Sequence, residues 1–122
     1  MSATGSYSVV RFIEDLQRRE PLNVGVLIAG SGGICARFEE RDDLREAQEI
    51  VDRFRELVDH LISREVGGSG RDPVDFLHEL ATRRFSHFEI SDPRLIEVDE
   101  DPNATLEELA QRLVTDSVSA HC

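Results

Sequence analysis

A nearly unbroken apolar run, LNVGVLIAG at residues 22–30, is the feature that most constrains the fold of this chain. A strand that alternates polar and apolar residues covers one face of a sheet, whereas a strand apolar at almost every position is covered on both. The glycine-rich turn GSGG follows at residues 30–33, and glycine readily reaches the positive φ of a tight hairpin. The run therefore predicts a central strand that turns back into ICARFEE, residues 34–40.

The segment YSVVRFIED, residues 7–15, predicts a strand before this hairpin, because it alternates and is rich in β-branched and aromatic residues. Three successive strands joined by short turns form an antiparallel meander. The hairpin places Gly25 opposite Phe38, where a ring can lie over a backbone that has no side chain. We expect Asn23 on the same face as Gly25, because it lies two residues away in the strand.

A long amphipathic helix is predicted after the meander. It begins near Leu44, and Asp42 or Asp43 can cap its first turn. Charged residues occupy one face and are expected to be solvated, while a wide apolar stripe lies on the sheet. The stripe consists of Leu44, Ala47, Ile50, Val51, Phe54, Leu57, Val58, Leu61 and Ile62.

Two more helices and two short strands complete the pattern. Asp72-Pro73 begins the second helix as cap and first residue. Strands follow at residues 88–90 and 95–98, and Thr105 with Glu108 forms a capping box that begins the third helix. The order β-β-β-α-α-β-β-α predicts an α+β fold, a mostly antiparallel sheet with helices packed on one face.

The length of 122 residues suits a single domain, residues 1–122, with an ordered core over about 7–116 and flexible termini. The glycine-rich segment 67–70 is interpreted as a loop, because neither half of the chain could bury a core alone. No apolar run approaches the roughly 20 residues that cross a bilayer, and the first residues show no signal-peptide pattern. We expect a cytoplasmic protein that does not bind membranes.

The chain is acidic, with 25 acidic and 14 basic residues and a formal net charge of −11. This balance argues against nucleic-acid binding, which needs a basic face. Every basic residue is arginine, so lysine chemistry is excluded. Cys35 in a strand and Cys122 at the last position predict no disulfide. Neither the cysteines nor the four histidines have metal-ligand spacing, so no metal and no cofactor are predicted.

Five residues of the N-terminal half are candidates for a binding surface. Arg11 and Arg37 lie in the middle of strands, where each either pairs with a carboxylate such as Glu20 or anchors a ligand. Asn23 and Gly25 form either a shaped, hydrogen-bonded start of the strand or a polar notch where a ligand approaches the backbone. No catalytic constellation is visible, so an enzymatic role is not favoured.

The segments YSVVRF at residues 7–12 and EPLNVGV at residues 20–26 resemble the opening of the bacterial and phage family known as domain of unknown function 3037. That opening reads Tyr-Ser-x-x-Arg-Tyr/Phe and then Glu-x-x-Asn-x-Gly-Val, and the spacing matches. Pro21 after Glu20 is an unusual residue for this pattern. Residues 88–98 and the following helix resemble the family less specifically.

The resemblance implies a small stand-alone cytoplasmic protein. The resemblance also implies that some members are encoded beside proteins similar to HipA-type kinases. It thus implies an accessory role in a toxin–antitoxin or kinase-associated operon, with a HipA-like kinase as the protein partner. It also directs attention to Arg11, Glu20, Asn23 and Gly25 as the working surface.

Three functions follow as hypotheses. The first is a non-enzymatic binding or accessory protein that engages a protein partner near Arg11, Asn23 and Arg37. The second is an acidic nucleic-acid mimic that inhibits a DNA-binding protein or nuclease, although acids alternate with arginines along the long helix. The third is a binder of a small anionic ligand, or an enzyme, that uses Arg11 and Arg37.

Overall fold

The computed structural model describes residues 3–13, 21–30, 33–38, 47–83, 85, 87–98 and 102–113. Its elements follow the predicted order, which confirms the α+β class. They are β1 (Ala3–Ile13), β2 (Pro21–Gly30), β3 (Gly33–Phe38), α1 (Gln48–Ile62), which continues into a π-helical turn (Ser63–Gly68), α2 (Pro73–Thr82), β4 (Phe88–Ile90), β5 (Arg94–Val98) and α3 (Pro102–Leu113).

The sheet is antiparallel and runs in the order β3-β2-β1-β4, with β5 also paired to β1. β4 lies opposite residues 10–12 of β1, and β5 lies opposite residues 3–7. Between them the Ser91 N–H donates to the Val9 carbonyl at 2.9 Å, and the Ser91 Oγ accepts from the Val9 N–H at 2.8 Å. This edge of β1 therefore holds one strand broken into two short pieces.

The central strand β2 is covered on both faces, as its apolar run predicts. Leu27 and Ala29 are fully buried in a larger core with α1 and α2. Val26 and Ile28 point the other way, into a smaller core with α3. The predicted packing on one face holds for α1 and α2, while α3 lies on the opposite face, because the alternating side chains of β2 leave apolar surface there too.

α1 buries a narrower stripe than its sequence predicts. Ile50 and Leu57 are 46% and 44% exposed. Phe54 anchors the helix, and its ring stacks on Phe88 with centroids 3.9 Å apart and an interplanar angle of 4°. This contact holds α1 against β4, while Ile50 and Leu57 lie on the exposed flanks of the stripe. The predicted start near Leu44, with its cap, lies outside the described residues.

The starts of α2 and α3 show how cap prediction succeeds and fails. The Asp72 Oδ2 accepts from the Asp75 N–H at 3.0 Å, as the predicted cap requires. α3 begins at Pro102, ahead of Thr105, so the predicted capping box of Thr105 and Glu108 is wrong. The fixed φ of proline suits the first turn of a helix, and Thr105 is buried inside α3.

The glycine-rich segment 67–70, predicted as a loop, is partly helical. Its first two glycines close the π-helical turn, and Gly70 has a φ of +68°, in the left-handed region that favours glycine. Beyond it, Arg71 pairs with Glu65 at 3.9 Å and with Glu79 of α2. These ion pairs tie the end of the π-helical turn to α2.

Cys35 of β3 is disulfide-bonded, which corrects the prediction that the chain holds no disulfide. β3 is the outermost strand at its end of the described sheet. A strand in this position is accessible to other segments, so its place in the sheet does not exclude pairing. The other cysteine, Cys122, lies outside the described residues.

Candidate functional site

β2 carries one residue more than β1 where the two strands pair. Val10 lies opposite Gly25, but Arg11 lies opposite Asn23, so Val24 is the extra residue of a β-bulge. Val24 is fully buried in the larger core. Asn23, next to it, turns to the opposite face beside Arg11, because a bulge redirects the side chains of its strand.

Gly25 stands at this bulge because its neighbour fills the space of a side chain. Phe38 lies opposite it in β3, and a Cβ on Gly25 would lie 2.9 Å from the Phe38 Cδ2. The predicted pairing of the two residues is confirmed. The prediction that Asn23 shares the face of Gly25 is wrong, because the bulge at Val24 reverses the alternation between them.

A groove of about 640 Å³ opens on the face to which Asn23 points. Arg11 lies between Asn23 of β2 and Glu89 of β4, its direct neighbours in the two adjoining strands. The three residues form a polar row across the sheet. This groove, called the Arg11 groove below, is lined by Tyr7, Val9, Arg11, Asn23, Ala81, Thr82, Arg83, Glu89, Ile90, Ser91, Asp92 and Arg94.

The structure brings together two of the five predicted binding residues. Arg11 and Asn23 line the Arg11 groove. Gly25 shapes the bulge beside it and lies on the other face of the sheet. Arg37 is 1% exposed on the face that α3 covers and does not line the groove. Glu20 lies outside the described residues.

The Arg11 groove is less acidic than the chain as a whole. Arg11, Arg83 and Arg94 line it, against the carboxylates of Glu89 and Asp92. Arg83 is also paired with Glu79, which does not line the groove. The remaining lining charges balance, whereas the whole chain carries a formal net charge of −11.

The groove arginines differ in how they are held. The Arg83 Nη2 donates to the Glu79 Oε1 at 2.9 Å, and Glu79 also pairs with Arg71. Hydrogen bonds from Arg83 and Arg71 hold the pKa of Glu79 below its usual value, and the hydrogen bond to Glu79 raises the pKa of Arg71. Within the described residues the Arg11 side chain makes no hydrogen bond or ion pair, so its donors remain for a ligand.

Sequence reasoning did not identify Arg83, Glu89 or Arg94 as groove residues. They come from the end of α2 and from strands that reach β1 only by long-range pairing. The His87 Nδ1–H donates to the Ile13 carbonyl at 2.9 Å. The signal that finds Glu89 is the pairing of β4 with residues 10–12 of β1.

A second cavity, of about 450 Å³, adjoins the Arg11 groove through Tyr7, which lines both. It lies between β5 and α3, with apolar wall residues Leu95, Ile96 and Leu109. Leu95 is 81% exposed. The lining of the Arg11 groove is mainly polar, whereas that of the second cavity is partly apolar.

Within the described residues, no group of three or more His, Cys, Asp or Glu residues could hold a metal ion. None of the described helices is long and apolar enough to cross a membrane.

The fold and the groove define a small α+β protein with an arginine-lined groove beside the pairing of β1 with β4. The family described as "Protein of unknown function (DUF3037)" matches residues 7–114, which is most of the chain. The chain therefore belongs to the DUF3037 family, and the resemblance seen in its opening motif is confirmed. No curated protein and no solved structure matches the chain.

Proposed function

We propose that this protein is a non-enzymatic binding protein that engages a protein partner through the Arg11 groove. The proposal depends on one observation: Arg11 and Asn23, both from the opening motif of the family, converge on the same groove. The bulge at Val24, which redirects Asn23, supports a binding role.

The shape and chemistry of the site favour a polypeptide. Sites for small molecules are lined mainly by apolar side chains, whereas most residues lining the Arg11 groove are polar or charged. A second cavity that shares Tyr7 with the groove offers a partner further contact surface. The resemblance implies a HipA-like kinase as the partner, with an accessory role in a toxin–antitoxin or kinase-associated operon.

Site-specific crosslinking in the native host tests this proposal. A photo-reactive amino acid replaces Thr82 or Arg94 in the groove, and Arg53 serves as the control, because its side chain is 76% exposed on α1. We expect an adduct of one defined mass from the groove positions and none from Arg53. No adduct from the groove, or equal adducts from all three positions, would contradict the proposal. Calorimetry with a purified HipA-like kinase from the same operon then tests the partner class.

A second candidate function is the binding of a small anionic ligand. The groove volume of about 640 Å³ lies within the range of about 300–1,000 Å³ typical of ligand pockets. Arg11 and Arg83 would hold the anion, since Arg37 does not line the groove. Thermal-shift screening against nucleotides and phosphorylated metabolites tests this candidate. Stabilisation that is equal in wild type and Arg11→Ala would remove its support.

A further inference from the structure

We propose that Arg11 and Asn23 form a carboxylate-binding subsite, and that the like charge of Glu89 beside it weakens binding there. The inference rests on the proposed function and names the chemistry the groove recognises. The occupant is an acidic side chain in an extended segment of the partner protein.

The donors of the subsite are arranged for a planar anion. A guanidinium group binds a carboxylate through two parallel N–H···O bonds, and no described carboxylate bonds to Arg11. Asn23 is the direct cross-strand neighbour of Arg11 on the same face, where Cβ atoms lie about 4.5–5.5 Å apart. A carboxylate that Arg11 holds therefore lies within reach of the Asn23 side chain.

Glu89 is the other cross-strand neighbour of Arg11. Its carboxylate lines the same groove, and within the described residues it forms no ion pair with Arg11. A carboxylate that enters the groove therefore meets a like charge at short range, which lowers its affinity. Replacing Glu89 by a neutral residue of the same shape should strengthen binding.

The charge balance of the groove favours a carboxylate over a phosphate. Arg83 is held by Glu79, and the remaining lining charges, two arginines and two carboxylates, balance, so the groove offers no net positive charge to a doubly charged group. A phosphate monoester carries about −1.5 to −2 at neutral pH and is repelled more strongly by Glu89 and Asp92.

An NMR titration of the full chain tests the subsite. The probes are an acetylated and amidated Ala-Glu-Ala-Leu peptide, the matched Ala-Gln-Ala-Leu peptide and inorganic phosphate. We expect the Glu peptide to shift the Arg11 Nε–H and the Asn23 amide, and the Gln peptide to leave both unchanged. Arg11→Gln should raise the dissociation constant of the Glu peptide about tenfold or more. Arg11→Lys should give a value between those of wild type and Arg11→Gln, and Glu89→Gln should lower the dissociation constant severalfold.

Several results would overturn the subsite. Equal binding of the Glu and Gln peptides, equal binding by wild type and Arg11→Gln, or no tightening in Glu89→Gln would each do so. Phosphate binding tighter than the Glu peptide would exclude the preference for carboxylate. Dispersed amide spectra establish that each variant is folded, and Arg53→Gln is the control for loss of an arginine.

The crosslinking experiment separates this inference from the proposed function. If the adducts at Thr82 and Arg94 persist unchanged in Arg11→Gln, the partner still binds in the groove, and the carboxylate subsite is rejected. Absence of any groove adduct in the otherwise wild-type chain would reject the proposed function itself.

Discussion

One face of the sheet is closed by α1 and α2, and there Phe54 stacks on Phe88 of β4 at 3.9 Å. The other face is closed only in part, because α3 covers Val26 and Ile28 but leaves the Arg11 groove open. Both faces share β1 as their central support. Neighbouring residues of β1 therefore contribute to two different regions, a closed core and an open groove.

The division follows from alternation along β1. Val10 and Phe12 are 0% and 2% exposed in the larger core, while Arg11 between them lines the groove. Packing of the first set should determine stability, and the chemistry of the second should determine recognition. The following variants test whether the two roles can be separated.

The largest expected effect is on the closed face. Phe54 is 5% exposed, and Phe54→Ala should reduce the free energy of unfolding by about 3–5 kcal/mol, because it opens a cavity and removes the stacked ring. Arg11→Gln should change it by only about 0.5 kcal/mol. Urea unfolding followed by circular dichroism measures both. A similar reduction in the free energy of unfolding for Phe54→Ala and Arg11→Gln would show that the two faces do not have separate roles.

A smaller effect is expected at the bulge that joins the two faces. Gly25→Ala places a Cβ 2.9 Å from the Phe38 ring and 3.0 Å from the Arg37 carbonyl oxygen, so we expect a loss of about 1–3 kcal/mol. It should also shift the Asn23 amide resonance. Gly30→Ala is the matched control, because nothing lies within 4 Å of its added Cβ. A loss equal to that of Gly30→Ala would show that the ring accommodates the methyl group freely.

The smallest effect concerns the ion pairs at the rim of the groove. The pKa of Glu79 is held below its usual value by hydrogen bonds from Arg83 and Arg71. Its contribution to stability is therefore present above the unfolded-state pKa and is lost as the pH falls through the lowered pKa. Because its side chain is 35% exposed, the effect is small.

Melting temperatures measured from neutral to acid pH test this sign. Glu79→Gln should melt slightly below wild type at neutral pH, and the difference should disappear once Glu79 is protonated. Glu49→Gln removes an ion pair whose carboxylate is 75% exposed, so it should change the melting temperature less. A difference between wild type and Glu79→Gln that grows towards acid pH would contradict the assignment.

Features decided by near neighbours could be predicted from the sequence. The apolar run of β2, the Asp72 cap and the pairing of Gly25 with Phe38 all depend on residues within one hairpin or one helical turn. The start of α3 was missed because two local signals compete there, and Pro102 prevailed over the Thr105 capping box.

The groove depends on contacts that local patterns do not encode. A regular strand would have sent Asn23 to the core face, and only the pairing of β1 with β2 reveals Val24 as an extra residue. Glu89 meets Arg11 through pairing between distant segments. Arg11 and Asn23 could thus be predicted as site residues from their residue types, whereas the residues around them could be identified only from the fold.

The interrupted strand beside β1 also bears on solubility. A long, flat outer strand offers its unpaired N–H and C=O groups to other molecules and promotes aggregation. Here β4 ends after three residues, Pro93 follows, and Glu89, Arg94 and Glu97 are exposed. Short length, proline and charge all disfavour the pairing of a strand from another molecule. The sheet can therefore carry an accessible groove without promoting aggregation through this edge.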